Sequence, residues 1–403
     1  MLRIKAFKAI RPAKALVGQV ASVPYDVVNR AEAAELAAGN PNSFLHVSRP
    51  EIDLPKNIDP YSQAVYDKAR EAFSRLRKDG VLVSEVKPCL YVYRQRMGNH
   101  VQRGVVACCH TGDYEAGIIK KHELTRKDKE DDRTRHISAI QAQPGPVFLT
   151  YRDAAEIDLL VEKEEAGKPL YDFTAADGVS HTVWRVADPK PFEAAFRKIP
   201  ACYIADGHHR AASAARIARE RGAGNDEAQW FLSVLFPATQ LRILPYNRLV
   251  TDLNGLSEDA FMAEVGRRFT LARNAEPHPE QPRNISFFIN GAWHGLSWAA
   301  ECGADPVSVL DVSVLQNRLL GPVLGIDDPR TSKRIDFVGG IRGTAELEKR
   351  VRSGECAVAF SMYPTTVDQL MAIADAGLIM PPKSTWFEPK LKSGLLIHTI
   401  EPD

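Results

Sequence analysis

The segment ACYIADGHHRAASAARIARERG, residues 201–222, constrains the fold more tightly than any other stretch. Residues 201–205 form a short apolar run of the kind expected of a buried strand. Asp206-Gly207 reads as a turn, and from His208 an alanine-rich stretch with high helix propensity runs to about Gly222. A chain with this sequence has to set a helix start directly against the end of a buried strand. Elsewhere hairpin and helix patterns alternate without the regular period of a doubly wound sheet. The expected class is therefore α/β in the broad sense, more closely α+β, with a mixed sheet and helices.

The remaining patterns fill in this frame. Asn29 before AEAAELAAG predicts a short helix capped by Asn29 and stopped by Gly39. Phe44 to Ser48 is expected as a short strand inside the loop NPNSFLHVSRPE. Apolar residues at Ala64, Val65, Ala69, Ala72, Phe73 and Leu76 predict an amphipathic helix ending at Gly80. The runs on either side of Gly98-Asn99 predict an antiparallel hairpin. The charged stretch from Ile118 to Pro144-Gly145 reads as helical. WFLSVLFP and LRILPYNRLV read as paired strands, SEDAFMAEVGRRF as a helix and NISFFINGAWHGLSW as a hairpin. A length of 403 residues predicts two or three domains; a division into 1–245 and 246–403, with a final loop that returns to the site, is expected.

Charge excludes some partners. With 52 Lys+Arg against 51 Asp+Glu, the chain has no global field to hold a polyanion, which argues against a nucleic-acid coat. No run approaches the roughly 18 apolar residues of a membrane helix, so no membrane partner is expected. The N-terminus lacks the apolar core of a secretory signal, and the expected location is the cytoplasm. Cys89, Cys108, Cys109, Cys202, Cys302 and Cys356 contain no C-x-x-C pair and read as reduced structural thiols.

Three segments carry candidate chemistry. A strand, a glycine turn and a helix start together aim free backbone N–H groups and the positive helix end at an anion. In Asp206-Gly207-His208-His209-Arg210 the first turn also carries two histidines and an arginine, which oppose the helix dipole unless an anion is bound. Asp206 alone would make a good N-cap, so a plain capped helix with solvent-facing histidines is the competing reading. The second segment runs from Lys120 through His122, Glu123 and Thr125 to Arg133. If it is helical, Thr125, Lys129 and Asp132-Arg133 share one face. His122-Glu123 lacks the second histidine of H-E-x-x-H, so Glu123 would serve as a general base or hold a divalent ion on a phosphate. A solvated charged helix face is the plain alternative. The third, Pro381 to Lys390, offers Lys383, Ser384 and Thr385 beside two aromatics, enough to clamp a phosphate and stack a ring, or simply to close a domain by packing. Walker A, G-x-S-x-G and strand-linked G-x-G-x-x-G patterns are all absent.

SVPYDV, NPNSFLHVSRPE, KKHELTRKDKEDDR, YIADGHHR and MPPKSTWFEPK occur in an order that resembles the bacterial and archaeal family known as domain of unknown function 1015. The D-G-H-H-R segment is also similar to the phosphate-binding segment of the ParB and sulfiredoxin superfamily, which includes free serine kinases. The resemblance implies a ParB/sulfiredoxin-like domain followed by a C-terminal α+β region. It implies phosphotransfer from ATP or ADP, with Mg2+, to a small hydroxy amino acid such as serine. Gly207, His208, His209 and Arg210, joined by Lys129, Arg133 and Lys383, would hold the nucleotide phosphates. Glu123, His209 and Asp206 would be catalytic, with Glu123 as the base. His122, Thr125, Tyr25, Asp26, Ser384 and Thr385 would contact the small-molecule substrate, and a homodimer is allowed. A nucleotide-binding regulatory protein without catalysis and a phosphatase of the same substrate are the alternatives. Where many relatives have a histidine in L-P-x-H-R, this chain has Asn247, so chemistry assigned to that histidine would be missing here.

Overall fold

The computed structural model describes residues 1–222, 226–300 and 305–401, and Cys302 lies outside them. The chain divides into two compact units, Met1–Leu241 with Pro389–Asp403, and Arg242–Glu388. The class is mixed α/β, of the α+β kind, with separate sheets in the two units.

The first unit is built on a nine-stranded mixed sheet. Its strands are β1 (Ile4–Lys5), β2 (Leu90–Met97), β3 (His100–His110), β4 (Ile119–Lys120), β5 (Val147–Tyr151), β6 (Tyr171–Thr174), β7 (Ser180–Val186), β8 (Cys202–Asp206) and β9 (Trp230–Pro237). Their order is β4-β8-β5-β9-β3-β2-β7-β6, with β1 also on β3. β2 and β3 form the expected hairpin, closed by Gly98-Asn99 with Gly98 at φ 58°. That left-handed backbone is one glycine adopts without strain. β8 runs antiparallel to β5 and parallel to β4, so the strand leading into Asp206 is paired on both sides. Val147, Leu149, Cys202 and Ile204 are buried in the core that this sheet shares with the alanine face of its helices.

Helices α1 (Arg30–Ala37), α2 (Gln63–Lys78), α3 (Lys127–Ile140) and α4 (His208–Arg221) belong to this unit. Asn29 caps α1 in a reciprocal box with Glu32. In α2 the periodic positions Val65, Ala69, Ala72, Phe73 and Leu76 are buried together with Tyr66, whereas Ala64 in the first turn is exposed, and Arg75, Arg77 and Lys78 in the last turn complement the helix dipole. Burying Phe73 alone contributes about 2–3 kcal/mol. The Tyr66 hydroxyl donates to Asp132 at 2.9 Å, tying α2 to α3.

Several expectations are corrected. Leu45–Ser48 is a helical turn rather than a strand: Ser43 Oγ accepts from Leu45 N–H, and the N–H groups of Ser48 and Arg49 bond back to Phe44 and Leu45. The stretch 121–126 is irregular and α3 begins only at Lys127, so Thr125 does not share a helix face with Lys129. Residues 230–237 and 242–250 do not pair with each other. β9 is inserted between β3 and β5, whereas Pro245, which has no N–H to donate, divides the second stretch into Arg242–Leu244 and Tyr246–Val250.

In the second unit, β10 (Tyr246–Val250), β11 (Thr270–Arg273), β12 (Asn284–Ile289), β13 (Ala292–Ser297), β14 (Ile335–Gly339) and β15 (Val358–Met362) form a six-stranded sheet ordered β11-β13-β12-β15-β10-β14. β12 and β13 are the expected hairpin, and residues 258–268 are the expected helix. Leu249, Phe288, Val338 and Ala359 form its core. Asn247 is buried, and its side-chain oxygen accepts from Met362 N–H at 3.0 Å, a structural role within the sheet. Among the described residues no helix is long and apolar enough to cross a membrane.

Candidate functional site

The site is organised by the turn between β8 and α4. Gly207 adopts φ 96°, and a Cβ built there would lie 3.1 Å from Arg210 Nε and 3.5 Å from Val147 Cα. Both the backbone angle and the space therefore require glycine. Gly207 is itself the N-cap of α4, and no side chain caps the helix among the described residues. Asp206 thus does not cap it. It ends the strand, one position too early, and its carboxylate turns to Lys390 Nζ at 3.1 Å and to Arg210 Nη2 at 3.7 Å.

Arg210 is held on several sides. Nη1 donates to the Pro146 carbonyl, and Nη2 faces Asp26 at 3.6 Å. Its Nε is buried and has no hydrogen-bond partner among the described residues. Burial would raise the Asp206 pKa, but Lys390 and Arg210 outweigh it and hold the carboxyl well below its usual range. Burial opposes the charge on Arg210, yet Asp26 and Asp206 raise its pKa still further. Lys390 is the residue that a reading of the turn alone misses. It lies 184 positions from Asp206 in sequence, and its only sequence signal is membership of the charged run after Pro381.

Beside Arg210, Tyr25, Arg133, His136, Gln143 and Gly145 line one cavity with it. The Arg133 guanidinium stacks on the Tyr25 ring at 4.0 Å and donates to Asp132 at 2.6 and 2.9 Å. Burial and the neighbouring Asp26 raise the Tyr25 pKa, so its hydroxyl remains protonated. The cavity therefore presents the buried guanidinium of Arg210, the partly buried one of Arg133 and a phenol to whatever enters it.

On the other side of the turn, His208 and His122 meet edge to face with ring centroids 4.5 Å apart. The backbone N–H of His122 points to His208 Nε2 at 3.5 Å, and His208 Nδ1 lies 3.9 Å from Glu123. Burial keeps both imidazoles neutral: His122 is lowered to about 4, and His208 lies well below its usual value. His122 Nδ1 is buried without a partner among the described residues. His209 Nε2 accepts from Arg126 N–H at 3.0 Å, so His209 fastens the 121–126 loop to the helix start.

The other candidate residues are placed differently. Lys129 donates to the Tyr61 hydroxyl at 2.8 Å and packs over its ring. Thr125 Oγ1 donates to Glu130 at 3.2 Å. Lys383, Ser384 and Thr385 belong to the second unit. There Lys383 is exposed with its ammonium 5.5 Å from the Tyr246 ring, Ser384 Oγ donates to the Pro381 carbonyl at 2.7 Å, and Thr385 is half-buried. The first unit therefore gathers Tyr25, Asp26, His122, Glu123, Arg133, Asp206, Gly207, His208, His209 and Arg210 around one helix start.

A family model described as "Protein of unknown function (DUF1015)" matches residues 4–313. No curated protein matches the chain. Similar solved structures include C-terminally truncated SbnI from Staphylococcus aureus, at 12% identity over 70% of this chain and 82% of that one, with a TM-score of 0.39. A conserved hypothetical protein from Pyrococcus furiosus is 12% identical over 72% of this chain and 93% of its own, with a TM-score of 0.37. A free serine kinase in complex with AMP is 12% identical over 72% and 91%, also with a TM-score of 0.37.

Proposed function

We propose that this chain, which belongs to the DUF1015 family, binds the phosphates of a nucleotide at the start of α4 and transfers a phosphoryl group to the hydroxyl of a small amino acid such as serine. The observation that carries the reading is the buried Arg210 Nε, without a hydrogen-bond partner among the described residues, beside a helix start that none of their side chains caps. A buried cationic donor without an acceptor is destabilising, and a phosphate oxygen would satisfy it together with the amides of the first turn. The similarity of D-G-H-H-R to the phosphate segment of the ParB and sulfiredoxin superfamily supports the same use.

Phosphoryl transfer requires mainly positioning and neutralisation of charge. In this reading Arg210, the 207–210 amides and Arg133 receive the phosphates of ATP or ADP, and Lys390 keeps Asp206 ionised as the anchor of Arg210. The acceptor oxygen forms a bond to the terminal phosphorus, the bond to the leaving phosphate breaks, and the hydroxyl proton passes to Glu123. His209 positions the loop that carries Glu123. Magnesium takes oxygen ligands, and Asp26 and Asp206 are the carboxylates at Arg210 that would hold it. It would supply charge neutralisation on the phosphates.

Nucleotide turnover measured across a panel of amino acids tests the proposal. Glu123→Gln is expected to lower turnover at least about 100-fold with nucleotide affinity retained, the range of general-base contributions. Unchanged turnover in that variant, with nucleotide still bound, would instead indicate a nucleotide-binding regulator. Absence of binding by nucleotides and phosphoserine alike would remove both readings.

A further inference from the structure

We propose that His122, Glu123 and His208 form a site for a divalent transition metal of the zinc class. One ligand atom from each of the three lies within 4.8 Å of the others. Bonds of about 2.0–2.1 Å to a tetrahedral ion require ligand separations of about 3.3 Å. Closing to that separation requires small side-chain rotations, for which Glu123, with its side chain 40% exposed, has the most room. His122 supplies the independent observation: the residue is 2% exposed, and its Nδ1 is buried with no partner among the described residues. An orphaned buried nitrogen is destabilising without a ligand, and a metal ion satisfies an imidazole lone pair where no donor is present. The 3.5 Å contact to His208 Nε2 is too long to fix the tautomer of that ring, so His208 can present either nitrogen.

The donor set selects the ion. Two imidazoles and one carboxylate suit zinc, cobalt, iron or manganese, and leave a coordination position open. Magnesium, which prefers oxygen, is poorly served here. This inference does not rest on phosphotransfer. An ion at this cluster would occupy the carboxylate that the transfer reading uses as a base, so the two uses of Glu123 exclude one another and metal loading would inhibit transfer.

The test uses the full chain, stripped with a chelator and free of nucleotide. Titration with Co2+ is expected to show one equivalent bound, with the intense visible absorption of a low-symmetry site, displaced by Zn2+. Glu123→Ala, on the half-exposed loop, and His122→Asn should each weaken Co2+ binding at least about 10-fold, the loss that follows removal of even an outer-shell partner. Should His122→Asn fail to fold, as judged by circular dichroism, Glu123→Ala decides alone. Absence of stoichiometric uptake, or equal affinity in folded Glu123→Ala, overturns the proposal. Neither result depends on turnover, so failure of the phosphotransfer reading remains separately visible.

Discussion

The two sides of the Gly207 turn solve burial in opposite ways. Toward Arg210, charge is compensated: the buried Arg210 and the partly buried Asp206 and Lys390 form, with the exposed Asp26, an ion network in which each carboxylate faces a cation. Toward His122 and His208, polar groups are buried by staying neutral, and one nitrogen has no partner among the described residues. A paired network tolerates burial because each charge is held by another, but it is brittle when one member is lost. A neutral imidazole pair is insensitive to such loss but sensitive to protons.

That contrast is open to direct attack, beginning with the ionic side. Asp206→Ala takes from Lys390 its counter-charge and from the buried Arg210 one of its two, leaving Asp26, and is expected to destabilise the protein by about 3 kcal/mol, read from urea unfolding. A loss below about 1 kcal/mol would mean that the network behaves as a surface pair. Gly207→Ala comes next. A residue with a Cβ at φ 96° is strained, and that Cβ presses on Arg210 Nε. We expect about 1–2 kcal/mol of destabilisation together with weaker nucleotide binding. Wild-type affinity in this variant would separate Arg210 from the phosphate site.

On the neutral side, acid is the probe. His122 is buried with its pKa lowered to about 4 from an ordinary 6.5. The unfolded chain therefore binds more protons between those values. Stability should be level above pH 6.5 and fall as pH drops from 6.5 toward 4, by about 1.4 kcal/mol per unit for this imidazole. The depressed Asp206 adds its own loss only below the ordinary carboxylate range, so the two sides titrate in different windows. A flat profile from pH 6.5 to 4 would show that His122 is hydrated. The smallest effect belongs to a helix remote in sequence from the turn. Asn29→Ala should remove the α1 capping box for about 1 kcal/mol and leave nucleotide affinity unchanged, the control against which the other variants are read.

Local patterns carried much of the fold. The hairpin around Gly98-Asn99, the α2 helix and the Asn29 cap all depend on spacing within a few residues, and the structure contains each of them. The patterns misled where long-range contacts took over. Phe44 to Ser48 looked like a strand, but the Ser43 side chain and buried neighbours made it a helical turn. The 121–126 loop looked helical because it is charged, yet it is pinned instead by His208 and His209, more than 80 positions away.

The sequence by itself determined that a buried strand meets a helix start at Asp206-Gly207, because apolar runs, a glycine turn and alanine propensity act over neighbouring residues. Only the tertiary structure decided which groups surround that turn. Lys390 on Asp206, Tyr25 under Arg133 and His122 against His208 join segments far apart in the chain. Such pairings are set by how sheet and helices pack, and no local periodicity encodes them.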